Sequence, residues 1–121
     1  MKKKILLVDD EPALRMGLKI RLEANGFQVL EASDGQMALD KARSEKIDAI
    51  ILDVMLPVID GYKVCRMLKF DEKYKNIPII MLTARAQSQD EQMSKEVGAN
   101  AYLTKPIKSE ILIAKINEFV K

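Results

Sequence analysis

The stretch that decides the fold is Ile47 to Gly61, IDAIILDVMLPVIDG. Four apolar residues, Ala49, Ile50, Ile51 and Leu52, run straight into a carboxylate at Asp53. A run this short, rich in isoleucine and free of polar interruption, reads as a strand over Asp48 to Asp53 buried on both faces, as in the middle of a parallel sheet. Asp53 then stands where the strand leaves the core, and ligands of open α/β sheets gather at that carboxyl edge. Pro57 and the pair Asp60-Gly61 mark turns in the loop that leads to the next helix. On this stretch alone, an acid that merely ends its strand is the simpler reading.

Outward from it, strand and helix alternate five times, which predicts a single α/β domain over 1–121 with a doubly wound parallel sheet. The first strand, Lys4 to Asp9, is the run Ile5-Leu6-Leu7-Val8 closed by Asp9-Asp10. Pro12 suits the first turn of a helix that continues to about Asn25, with Leu14, Leu18 and Leu22 on one stripe and Gly26 as its C-terminal cap. The mixed polarity of Phe27 to Ala32 puts the second strand at a sheet edge, and Ala38, Leu39 and Ala42 anchor a second helix over Gln36 to Glu45. After the central strand, a third helix runs from Gly61 to Phe70 and buries Val64 and Leu68.

A second fully apolar strand, Ile79 to Leu82, ends at Thr83. The helix expected over Gln87 to Val97 is polar, with Met93 and Val97 as its large apolar residues, so little burial holds it and it is expected to be mobile. Ala101 to Leu103 forms a short fifth strand followed by Lys105-Pro106. The last helix, Ser109 to Val120, packs through Leu112, Ile116 and Phe119, with Ile111 and Ile113 flanking that stripe.

Composition narrows the function. The chain contains no histidine, which excludes a histidine base, a phosphohistidine carrier and a histidine-bound metal, and leaves carboxylates, lysine and hydroxyls. Its one cysteine, Cys65, cannot form an internal disulfide and reads as a small buried hydrophobe. No apolar run approaches the ~20 residues that span a bilayer, and the run behind Lys2-Lys3-Lys4 is too short for a secretory signal. The expected compartment is the cytoplasm, without membrane association. A net charge of +2, with no basic run interleaved with aromatics, gives no reason to expect direct nucleic-acid binding.

Four strands end in polar groups that the parallel topology would bring together: Asp9-Asp10, Asp53, Thr83 and Lys105. Three carboxylates at neighbouring strand ends need a counter-charge. An all-oxygen acidic set favours a hard divalent ion, best Mg²⁺, which leaves room for substrate phosphate. Lys105 adds a second positive charge and Thr83 a hydroxyl. These are the parts of a phosphoryl-transfer site with a carboxylate nucleophile at Asp53.

From end to end the chain resembles the receiver domain of two-component response regulators. The resemblance rests on Asp9-Asp10, Asp53, Pro57, Asp60-Gly61, Thr83-Ala84, Tyr102 and Lys105-Pro106. It implies a flavodoxin-like (βα)5 fold with strand order 2-1-3-4-5, a topology the family itself exemplifies. It further implies that Asp53 accepts a phosphoryl group from a histidine kinase or phosphotransfer protein. Asp10, Asp53 and the backbone carbonyl of Met55 would ligate Mg²⁺, with Asp9 acting through water. Thr83 would move toward the phosphoryl oxygens and Tyr102 would turn inward, although an edge-strand aromatic with a solvated hydroxyl is an equal reading of Tyr102 by itself. The surface of the fourth helix, fifth strand and fifth helix would change and meet a second copy of the domain, an output protein or an effector domain missing from this chain. No enzymatic turnover beyond its own phosphorylation and dephosphorylation is expected.

The alternative is a Mg²⁺-dependent phosphohydrolase with an aspartyl-phosphate intermediate. Such enzymes of the haloacid-dehalogenase type carry an aspartate two residues after the nucleophile, where this chain has Met55. A flavodoxin-like flavin binder would place phosphate after the first strand, against Asp9-Asp10-Glu11. A receiver that is never phosphorylated is disfavoured by the complete acceptor set. Met55 and Arg85, expected to border the path of attacking water, predict a long-lived aspartyl phosphate.

Overall fold

Both faces of a central strand can be buried only if helices cover each side of the sheet, and the apolar runs of this chain meet that condition. The structure, a computed structural model, describes residues 2–84 and 88–120. Five parallel strands, β1 (Lys4–Val8), β2 (Gln28–Ala32), β3 (Ala49–Asp53), β4 (Ile79–Thr83) and β5 (Ala101–Thr104), lie in the order β2-β1-β3-β4-β5. They alternate with α1 (Pro12–Ala24), α2 (Gly35–Ser44), α3 (Gly61–Lys69), α4 (Ser88–Glu96) and α5 (Ser109–Phe119). The expected α/β class, strand order and edge position of β2 are therefore met.

Side chains alternate across each strand, so the sheet divides the core in two. On one face Leu6, Val8, Ile50, Leu52, Ile79 and Met81 pack beneath α2, α3 and the end of α4. On the other, Ile5, Leu7, Ile51, Ile80 and Leu82 meet α1 and α5. Strand register aligns Val8 with Leu52 and Asp53 with Leu82, which brings the acids after β1 and at the end of β3 to one edge with Thr83 at the end of β4 and Lys105 after β5. Among the described residues no helix is long and apolar enough to cross a membrane.

Most boundaries fall within a residue or two of expectation, the usual latitude at fraying ends. The second helix begins at Gly35 because Asp34 is its cap: the Asp34 carboxylate accepts from the Met37 N–H at 2.8 Å. Gly26 has φ +90°, the left-handed conformation that closes α1.

Two expected anchors differ. Met93 is 41% exposed, and among the described side chains here Ser94 and, just past the helix end, Val97 are buried. Residues three apart share a helix face as well as residues four apart, and the helix is rotated so that the hydroxyl side chain lies under it. Phe119, expected to pack beneath α5, is the last residue of that helix and half exposed, while Leu112 and Ile116 are buried. The expected start of the fourth helix at Gln87, like Arg85, lies outside the described residues.

Candidate functional site

The acidic pocket is assembled by backbone before side chains enter. β1 ends at Val8, and the Asp9 N–H continues the ladder to the edge strand by donating to Ala32 O at 3.1 Å. Asp53 closes β3, and the next residue stays paired with the sheet, the Val54 N–H donating to Leu82 O at 3.0 Å. The Lys105 N–H donates to Thr83 O at 2.6 Å, tying the lysine that follows β5 to the threonine that ends β4. The Lys105–Pro106 peptide is cis.

The loop after Asp53 is held just as closely. Gly61 opens α3 directly under it, and a Cβ at that position would lie 2.1 Å from Asp53 O, so no other residue fits without moving the backbone of the acceptor. The Asp60 side chain caps α3 by accepting from the Lys63 N–H at 3.0 Å. Between Asp53 and this cap Val58 has φ +71°, and the Ile59 N–H reaches back to Pro57 O at 2.9 Å across it. This is a three-residue turn of the strained hand, rare for a β-branched side chain. It leaves Val58 projecting into solvent, while Met55, also exposed, lines a groove with Asp10, Leu56, Asp60 and Tyr62.

Within this frame the Lys105 ammonium bridges two acids, lying 3.0 Å from Asp9 Oδ2 and 3.2 Å from Asp53 Oδ2. The second oxygen of Asp9 accepts from the Glu11 N–H at 2.9 Å, and the Met55 N–H approaches Asp53 Oδ1 at 3.4 Å. Asp9 and Asp53 are buried, whereas Asp10 is exposed. Burial holds the Asp53 carboxyl above its ordinary range; the Lys105 charge opposes that rise and Asp9 adds to it. Burial also disfavours the charged form of Lys105, but its hydrogen bond to Asp9 and the two carboxylate charges outweigh this and raise its pKa.

Ligand oxygens of Asp9, Asp10 and Asp53 all lie within 4.8 Å of one another. Three carboxylates so close repel, and one bridging ammonium leaves the cluster with a negative excess. Carboxylate-only chemistry, in a chain without histidine and with its thiol buried on α3, fits a hard divalent cation. The residues present thus suit Mg²⁺.

The structure brings Asp9, Asp10, Asp53 and Lys105 into one pocket. Thr83 is buried at the end of β4 beside it. Tyr102 pairs with Met81 across the β4–β5 ladder and packs, half-buried, against the core beneath α3 and α4. Sequence reasoning missed Arg15 and Glu31. The Arg15 Nη1 donates to the backbone carbonyl of Asp9 at 2.6 Å while its Nε donates to Glu31 Oε1 at 3.1 Å. Periodicity shows only that Arg15 lies off the apolar stripe of α1; that stripe says nothing about which strand the guanidinium meets.

A model of the response regulator receiver domain matches residues 5–117. The chain is 43% identical over 121 residues to the alkaline phosphatase synthesis transcriptional regulatory protein PhoP of Bacillus subtilis, covering all of this chain and 50% of that protein. It spans about half the length of the curated relatives it matches. A putative response regulator from Chloroflexus aurantiacus superposes with a TM-score of 0.94 at 34% identity, covering 98% of each chain. The receiver domain of the sensor histidine kinase PA1611 from Pseudomonas aeruginosa superposes with a TM-score of 0.91, also at 34% identity and 98% of each chain. That structure has a magnesium ion coordinated in its active-site cleft.

Proposed function

The chain belongs to the response regulator receiver domain family, and we propose that it is a phosphorylation-activated switch in which Asp53 is the phospho-acceptor. The observation that carries this reading is the buried Asp53 carboxylate held by Lys105 at 3.2 Å in a cluster with Asp9 and Asp10. A carboxylate oxygen of Asp53 forms a bond to phosphorus as the phosphorus–nitrogen bond of a donor phosphohistidine breaks, and the electron pair leaves with the imidazole. The donor is a histidine kinase or a phosphotransfer protein; acetyl phosphate serves as a small substitute, its phosphorus–oxygen bond breaking instead.

Mg²⁺ would be held by Asp10, Asp53 and the backbone carbonyl of Met55, with Asp9 acting through water, and when bound it supplies charge neutralisation for the acids and the incoming phosphoryl oxygens. Lys105, already seated against Asp53, exchanges a carboxylate contact for a phosphoryl oxygen. Thr83 offers its hydroxyl to another. Movement of Thr83 frees space that Tyr102 enters, and the surface of α4, β5 and α5 changes with it. That surface would engage a second copy of the domain, an output protein or an effector domain.

The chain catalyses only its own phosphorylation and dephosphorylation. A phosphohydrolase is disfavoured because the position two residues after Asp53 holds Met55, which is 70% exposed and has no acid–base chemistry. An exposed apolar side chain there also offers nothing to orient an attacking water, which supports a slowly hydrolysed aspartyl phosphate. The test is intact mass after incubation with acetyl phosphate and Mg²⁺. A gain of one phosphoryl group that Asp53→Asn abolishes is expected; an unchanged wild-type mass, beside a relative that is labelled, would overturn the reading.

A further inference from the structure

Asp9 is tethered at every polar atom. Its N–H donates to Ala32 O, its two carboxylate oxygens accept from the Glu11 N–H and Lys105, and its backbone carbonyl accepts from Arg15 at 2.6 Å. That carbonyl belongs to the peptide joining Asp9 to Asp10. A planar peptide held at its oxygen has its plane set, and the plane sets the direction in which the next residue departs. Asp10 is the exposed acid of the pocket, so the aim of its carboxylate depends on this backbone.

The hold on that peptide is itself anchored. The Arg15 side chain is only 18% exposed, and its guanidinium spans from the Asp9 carbonyl to Glu31 on the edge strand β2. Lys19 grips the other carboxylate oxygen of Glu31 at 3.2 Å, and Lys41 donates to the Glu31 backbone carbonyl. Lys19 and Arg15 together lower the Glu31 pKa despite its partial burial, so the carboxylate end of the clamp stays charged. A planar fork can serve a carbonyl and a carboxylate at fixed angles; a lysine ammonium cannot reproduce that geometry.

We propose that Arg15 is a positioning residue of the acidic pocket: by fixing the Asp9–Asp10 peptide against β2 it aims Asp10, and thereby sets the affinity of the pocket for Mg²⁺. This rests on the metal-binding part of the proposed function. Two effects of removing Arg15 oppose each other. Losing a nearby positive charge favours a cation, whereas losing the clamp releases a ligand. Arg15→Lys separates the two, because it keeps the charge while giving up the planar fork. Partners that orient metal ligands typically govern affinity by about 10- to 100-fold.

Mg²⁺ titration by calorimetry, at physiological salt and without phosphoryl donor, tests the idea on wild type, Arg15→Gln and Arg15→Lys. Arg15→Gln is expected to weaken binding by about tenfold, and Arg15→Lys by at least as much, because it keeps the repelling charge without the fork. Glu31→Gln should weaken binding less, and should add nothing in the Arg15→Gln background if it acts through Arg15. Should Arg15→Gln fail to fold, Glu31→Gln alone carries the test, and unchanged affinity there overturns the proposal. A wild type that takes no Mg²⁺ overturns the metal-binding part of the proposed function. A wild type that binds while folded Arg15→Gln binds equally or more tightly overturns this inference alone.

Discussion

The acceptor side and the α4–β5 side of the same sheet are held by very different amounts of packing. β1 and β3 contribute runs at most 1% exposed, Ile5 to Val8 and Ala49 to Leu52, and the carboxylates follow them directly. All four residues of β5 are only partly buried, and α4 places Ser94 and Val97 beneath it with Met93 turned half out. A ligand set that must keep its geometry gains from rigid strands on both sides. An element that must adopt two arrangements gains from a small difference in burial between them. The acceptor is therefore built where the core is deepest, and the surface proposed to switch is built where it is thinnest.

The largest effect that could break this comparison is on stability. Leu52→Ala, one residue before the acceptor, should cost about 2–5 kcal/mol in urea unfolding, because it leaves a cavity in a fully packed strand. Met93→Ala should stay within about 0.5 kcal/mol, as expected for a half-exposed side chain. Comparable losses at the two sites would show that α4 is as firmly packed as β3.

Cys65 lies at the seam, buried on α3 with its Sγ 3.5 Å from Val97 O at the end of α4. Burial pushes its thiol up from 9.0 to about 12, with the Lys69 charge pulling slightly the other way. Above pH 9 the unfolded chain therefore releases a proton that the folded chain keeps, so this contribution is intact below pH 9 and is lost as pH rises toward 12. Between pH 9 and 10 the wild type should lose about 1 kcal/mol more than Cys65→Ala, whatever the cavity in the variant costs at neutral pH. Parallel alkaline slopes would mean that the seam opens to water and that α4 shields less than its contacts suggest.

The smallest effect sharpens the picture of α4 itself. The Ser94 Oγ is buried with no hydrogen-bond partner among the described residues, beside a cavity that Tyr102 also lines. An unsatisfied hydroxyl is costly, so Ser94→Ala should be neutral or gain up to about 1 kcal/mol in the same unfolding measurement. A loss would show that water or a rearranged neighbour satisfies the hydroxyl.

Much of this was legible in the residues. The continuous apolar runs before Asp9, Asp53 and Thr83 announced strands buried on both faces, and the polar Gln28 and Glu31 announced an edge. What the strand-end pattern proposed, the meeting of Asp9, Asp10, Asp53 and Lys105, the geometry shows. Other features were not legible. Met93 looked like the natural anchor of α4, yet a helix with so few apolar residues has a shallow preference for any rotation, and its neighbours chose Ser94 instead. The clamp from Arg15 to Glu31 was hidden because its ends lie 16 residues apart on different elements, each looking like an ordinary solvated charge.

The sequence by itself determined the class of fold, the central place of the 49–53 strand and the chemical character of the pocket. These follow from local pattern: hydrophobic period, turn residues and the polar group that ends each run. Only the tertiary structure decided which oxygen of each acid faces Lys105, that Gly61 must press against the acceptor backbone, and that Asp9 is tied to β2 through Arg15. Those are contacts between residues distant in the chain, and they are set by how the strands align and how the helices rotate onto them, which no local pattern encodes.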